Sequence, residues 1–324
     1  MMRRTLLQAG LAALLGATLS FAAHAAYPER PIKFIVPFAA GGSTDMVGRL
    51  VAEKLSVDLG QSVIVENKPG AGTTIGTNAV VKAKPDGYTL LLCSSSLVLN
   101  RLLYKQLPYD YTKDLVPVAG LIKIPHILVV NPSVPVHSLP ELIAYAKRHP
   151  GTMNYASTGI GALPHVMAEL FLSMTHLKIQ HVPYSGTAPA LQDLLAGRVQ
   201  MLFDNLSTAL PNLQAGKVRA IGLTTAQRSP AAPQYPTLAE QGLTGYDATS
   251  WFGVAAPAGT PDSVVEKVNA AINRILVSPD FQKRIAVFGG QSFGGSSQEF
   301  ASFEQEDLMR WSRVFHDAHI EQIN

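Results

Sequence analysis

One cysteine in 324 residues, Cys93, leaves no partner for an internal disulfide, and no cysteine cluster can hold a metal. Sitting in the apolar run 88–93, it reads as a buried strand thiol. Charge is also scarce, at 15% of residues with a formal net charge of +3. Two of the basic residues, Arg3 and Arg4, fall in a leader, and the remaining ones nearly balance 23 acidic residues. The chain therefore lacks the basic footprint of a nucleic-acid binder. Past Ala26 no stretch reaches the roughly 18 apolar residues that a spanning helix needs. The nearest run, 116–130, is broken by Lys123, Pro125 and His126, so no membrane insertion is expected of the mature chain.

Catalytic and cofactor signatures are missing as well. The nine histidines show no H-E-x-x-H or H-x-H spacing, so no metal is expected, and His316 and His319 read as solvent-facing. No G-x-S-x-G elbow or P-loop follows any strand. The glycines of Gly70, Gly72 and Gly76 are spaced G-x-G-x-x-x-G, one residue off the dinucleotide fingerprint, and no cofactor is expected. Ser157 and His165 stand eight residues apart across a helix start, a spacing that does not by itself bring their side chains together.

What is present is export chemistry followed by α/β grammar. Residues 1–25 read as a signal peptide, with Arg3 and Arg4 before an apolar stretch and Ala23-His24-Ala25 as a small-x-small cleavage site. The run from Arg3 to Leu7 also resembles a twin-arginine signal, which leaves both export routes open. A periplasmic location follows from this leader. Beyond it, the β-branched run 32–38 ends in Ala39-Ala40-Gly41-Gly42, after which Met46, Val47, Leu50, Val51 and Leu55 recur at helical spacing. Strands at 62–66 and 88–93 flank a helix at 75–82, which implies βαβ crossovers and a largely parallel sheet. A second series starts with strand 127–130 and a helix that Ser138 and Glu141 should cap, followed by strands at 153–156, 179–182, 201–203 and 220–224. A late strand at 251–256 and two further helices end the chain. Two lobes of similar construction fit a chain of this length.

Two strand-to-helix turns carry the chemistry. The first runs from Phe38 through Gly41 to Thr44 and Asp45, and the second covers Ser157, Thr158, Gly159 and Gly161. Glycines admit close backbone approach, and a helix start aims N–H groups and positive dipole at the space beyond it, so each turn suits an anion. Both lie beyond the carboxyl ends of strands, where open α/β sheets bind ligands. Asp204, past strand 201–203, and the aromatic Tyr184 and Trp251 are weaker candidates. Asp204 is equally readable as a helix cap, and the aromatics as core.

These segments are similar to the substrate-binding proteins of tripartite tricarboxylate transporters, the Bug family. The likeness rests on Pro37-Phe38-x-x-Gly41-Gly42-x-x-Asp45 with Arg49, on 66–72, on Pro85-Asp86-Gly87-Tyr88, on 155–161 with His165, on His181-Val182-Pro183-Tyr184-x-Gly186, and on 251–261. Ala40 and Ala162 depart from residues common in the family.

The resemblance implies an α/β, two-lobed, type II periplasmic-binding-protein (Venus flytrap) fold, each lobe a mostly parallel sheet flanked by helices. It implies lobe 1 from residues 26–126 and 250–324 and lobe 2 from 127–249, crossing near 124–130 and 251–256. A small carboxylate would be pinched between Phe38, Ala40, Gly41, Thr44 and Asp45 on one side and Thr158, Gly159 and Gly161 on the other. Tyr184 and Asp204 would stand at the cleft edge, with Ser94 as a further contact. Its partners would be the membrane permease subunits of such a transporter, and it would perform no catalysis. An α/β hydrolase or lyase, and a ligand-presenting subunit of a signalling system, remain as alternatives.

Overall fold

The computed structural model describes residues 27–324 apart from 42, 185, 287 and 288, and the expected signal peptide lies outside the described residues. Strand β1 (Ile32–Val36) is buried except at Lys33, whose ammonium pairs at 3.2 Å with Glu66 on β2 (Val63–Asn67). Between them runs helix α1 (Ser43–Leu59), which turns Val47, Leu50, Val51 and Leu55 into the core. A short turn of 3-10 helix (Ala71–Thr73) leads to α2 (Thr74–Val81), β3 (Thr89–Ser94), α3 (Ser95–Leu103) and the single turn α4 (Tyr111–Asp114). Cys93 is 2% exposed on β3, and burial raises its thiol well above the ordinary range, as expected of an inert strand residue.

Strand β4 (Leu115–Val130) is the longest of the fold. The second series then follows as α5 (Leu139–Arg148), β5 (Asn154–Ser157), α6 (Leu163–Thr175), β6 (Gln180–Pro183), α7 (Thr187–Leu195), β7 (Met201–Asn205), α8 (Leu206–Gln214) and β8 (Arg219–Leu223). Ser138 caps α5 by accepting the Glu141 amide at 3.4 Å, while the Glu141 carboxylate reaches one residue further back, to the His137 amide. The chain returns through β9 (Thr249–Pro257) and closes with α9 (Asp262–Leu276), α10 (Pro279–Ala286), β10 (Gln291–Ser292) and α11 (Ser297–Asp317).

The strands form one path, β2-β1-β3-β9-β4-β7-β5-β6, with β8 and β10 also on β4. The pairs β1–β2, β1–β3, β5–β6 and β5–β7 are parallel, as βαβ crossovers require. Every ladder made by β4 or β9 is antiparallel, so the sheet is mixed where the chain crosses between its halves. Residues Leu115 to Pro125 of β4 pair with β9, and His126 to Val130 pair with β7 and β8. The expected strand 127–130 is thus the far end of a strand that serves both halves. Such a path, with helices on both faces, makes the expected two-lobed periplasmic-binding-protein fold.

Candidate functional site

A cavity of about 520 Å³ opens between the two halves. Helix starts converge on it: Thr44 of α1, Ser95 and Ser96 of α3, Leu163 and Pro164 of α6, and Thr187 of α7 all line it, as does Asn205, the residue before α8. The N-caps of α6, α7 and α8 are Ala162, Gly186 and Asn205, and none supplies a side-chain acceptor to its helix. In α6 that leaves the Leu163 amide, since Pro164 has no N–H and the His165 amide donates to the Ala162 carbonyl at 2.9 Å, and the aligned peptide dipoles give each helix start a partial positive charge. No lysine or arginine lies among the described lining residues, so the anion-attracting field there comes from backbone.

Of the residues expected at the site, Phe38, Thr44, Ser94, Thr158, Gly159, Gly161 and Asp204 line this cavity. Ala40, Gly41, Asp45 and Tyr184 do not. The Gly41 amide donates to Asp45 Oδ2 at 2.9 Å and so is already paired, and Ala40 sits on the exposed shoulder of the same turn. Asp45 also accepts from Arg49 Nε at 2.9 Å and from Asn67 Nδ2 at 2.8 Å, and that Asn67 nitrogen donates again to the Phe38 carbonyl at 3.0 Å. Burial opposes the charge of Asp45, but the Arg49 guanidinium and the amides of Gly41 and Asn67 outweigh it and hold the carboxyl down at about 2. Asp45 shapes the first turn from beneath. The Tyr184 hydroxyl donates to Asp193 Oδ2 at 2.8 Å, and Trp251 is fully buried with Nε1 on Asp307, so both aromatics belong to packing.

The second turn is also tied from below. Gly159 and Gly161 adopt φ of 138° and 72°, in the range that favours glycine. The Gly159 amide donates to Ser157 Oγ at 3.2 Å and the Gly161 amide to His165 Nδ1 at 2.9 Å. The amides of Thr158, Ile160 and Leu163 find no acceptor among the described residues, so these are the donors the turn offers. Ser157 does not meet His165 as a hydrogen-bond partner. It lies 2.6 Å from Nε2 of His181, which stacks on His165 with ring centres 4.1 Å apart.

Two buried polar groups in the walls stand out. Asp204 is 2% exposed, with Oδ1 accepting from Thr208 at 2.6 Å and Oδ2 lacking any partner among the described residues. Burial lifts its carboxyl to about 6, against the pull of the Thr208 hydroxyl and the Asn205 amide. His126, also 2% exposed, leaves Nδ1 unpartnered, and burial lowers its imidazole to about 4. Sequence reasoning passed over His126 as a contact, although its signal was present as a polar interruption of the apolar run 116–130. Thr187 and Phe252 were missed too, because only the sheet brings them to one place.

A cleft between two α/β halves, walled by helix starts and with no lysine or arginine among its described lining residues, has the architecture of a solute-binding protein of the periplasmic-binding-protein class. The chain belongs to the tripartite tricarboxylate transporter family receptor group, whose model matches residues 47–320. It is 39% identical over 290 residues to the protein BugT of Bordetella pertussis, covering 89% of each chain. Among solved structures it resembles R. palustris Rpa4515 with adipate, at 38% identity and a TM-score of 0.82, over 92% of this chain and 100% of that one. MatC of Rhodopseudomonas palustris with bound malate matches at 35% identity and a TM-score of 0.76, over 89% and 99%. The Bug-family resemblance read from the motifs is thus confirmed by the family match, and the related proteins are substrate-binding proteins.

Proposed function

We propose that this chain is a periplasmic receptor that captures a small carboxylate between two lobes, hands it to membrane permease subunits of a tripartite transporter, and carries out no covalent chemistry. The observation that carries this reading is the convergence of helix starts on a cavity with no lysine or arginine in its described lining. Backbone donors bind an anion strongly without the large desolvation cost of burying a lysine or arginine. The adipate and malate of the related structures are both dicarboxylates, in keeping with that chemistry. Phe38, Thr44, Ser94, Thr158, Gly159 and Gly161 would surround one end of the ligand, and Asp204 and His126 would meet the other. Lobe 1 would comprise residues 26–126 and 250–324, and lobe 2 residues 127–249. The ladder hand-over between Pro125 and His126 supports that division.

The Ser157–His181 contact does not favour the hydrolase alternative. Ser157 is fully buried beneath its own turn, where its hydroxyl donates to the Gly159 carbonyl at 3.0 Å, and no substrate carbonyl can approach it.

Thermal-shift screening against mono- and dicarboxylates tests the reading, since a ligand at 100 times its Kd adds about 2.7 kcal/mol of stability. A ligand touching both lobes favours the closed state, so saturating ligand should also shrink the radius of gyration in scattering. Gly159→Trp should abolish both effects. Stabilisation by neutral sugars and by no carboxylate would refute the proposal.

A further inference from the structure

We propose that His165 is a positioning residue for ligand capture: its Nδ1 holds the Gly161 amide, which sets the second turn at the cavity wall, and protonation of the imidazole releases that turn. The inference rests on the reading of the cavity as the ligand site. A nitrogen that accepts the Gly161 N–H at 2.9 Å carries a lone pair, so the ring proton sits on Nε2, which faces Glu169 Oε1 at 3.8 Å. A proton added to Nδ1 would turn the acceptor into a donor, leaving two N–H groups opposed. Gly161 is buried against Leu103 of α3, and the freed amide has little room to find water there.

The surroundings resist that proton, which keeps the device closed near neutral pH. His165 is 7% exposed and stacks on His181, so a charge on either ring opposes a charge on the other. Burial first, and His181 second, lower the His165 imidazole to about 4, and burial lowers His181 to about 4 as well. The other ionisable groups facing the pair are Tyr155 of β5, stacked on both rings, and Glu169 of α6, to which the Tyr155 hydroxyl donates. From β7, α3 and α11, which also pack on α6, no described ionisable group acts on His165. The second ring secures the same turn, through Ser157 Oγ to the Gly159 amide.

Amide and ring nitrogen NMR on the intact protein tests His165 without any ligand. The Gly161 amide resonance should move with the His165 imidazole as pH falls from about 6 to about 4. In His165→Asn, whose Oδ1 replaces Nδ1 as a non-titrating acceptor, that movement should vanish. With adipate as the probe, calorimetry should show a steeper acid loss of affinity in wild type than in His165→Asn, a comparison in which the titration of adipate itself cancels. His165→Leu, lacking an acceptor, should bind adipate about five- to tenfold more weakly even at neutral pH, the worth of one hydrogen bond. A Gly161 amide indifferent to His165, or a His165→Asn protein that keeps the full acid loss, would overturn the proposal. Failure of every form to bind adipate or malate would instead count against the carboxylate reading, because the amide titration judges His165 independently.

Discussion

Thr224 grips both backbone groups of His126: its hydroxyl accepts the His126 amide at 3.1 Å and donates to the His126 carbonyl at 3.0 Å, and its own amide donates to that carbonyl at 2.9 Å. The Thr224 carbonyl in turn accepts the Ala248 amide at 2.9 Å, one residue before β9 begins. One fully buried threonine therefore ties together the outgoing and returning strands where they pass between the halves.

Thr224→Val keeps the shape and removes the hydroxyl. It should destabilise the protein by roughly 1–3 kcal/mol, the cost of leaving a buried amide unpaired, read as a lower denaturation midpoint. An unchanged midpoint would show that the crossing is held elsewhere.

Asp45 links stability to the shape of the first turn. Asp45→Ala should cost roughly 1–3 kcal/mol, because Gly41 and Asn67 lose a shared buried acceptor, and should weaken adipate binding although Asp45 does not line the cavity. The sign in acid is fixed by its depressed carboxyl: stability contributed by Asp45 is present above its unfolded value near 4 and lost as pH falls towards about 2. A thermal midpoint of Asp45→Ala that tracks wild type down to that range would contradict this.

Asp204 should couple ligand capture to proton uptake. Its carboxyl already titrates at about 6, and a dicarboxylate brought into the same cavity raises it further, so affinity should fall as pH rises above that value. Calorimetry at neutral pH in buffers of different ionisation heat should show net proton uptake, and Asp204→Asn should bind adipate more tightly in alkali with no uptake. Equal proton counts in the two proteins would remove Asp204 from the site.

Glu304, 5% exposed on α11 with Oε1 unpartnered among the described residues, is lifted to about 8 by burial and then by the Asp307 charge. A carboxyl raised on folding holds a proton that the unfolded chain has released, so stability falls as pH rises from about 4.5 through about 8. Glu304→Gln should flatten that decline, with little change of melting temperature at pH 5 and a higher one at pH 9. Parallel curves for the two proteins would be the contrary result.

Local periodicity alone determined most elements. Buried strands such as β1 and β3 are short apolar runs, helices such as α9 repeat Val265, Val268, Ala271, Ile272 and Ile275 on one face, and caps such as Ser138 are one-residue signals. The two anion-suited turns were legible for the same reason, since a glycine turn between strand and helix is a contiguous feature. Tertiary structure decided what depends on residues far apart. Residues 115–125 could not be read as strand, because Lys123, Pro125 and His126 break the apolar pattern, and only pairing with β9 and then with β7 and β8 makes one strand of them. It also decided which polar groups face the cavity. Whether Asp45 meets a ligand depends on whether another side chain has already taken its oxygens, and its partner Asn67, 22 residues on at the end of β2, is brought there by packing rather than by spacing. The stack of His165 on His181 likewise joins a helix to a strand 16 residues on, a contact that β5–β6 pairing creates and no local pattern encodes.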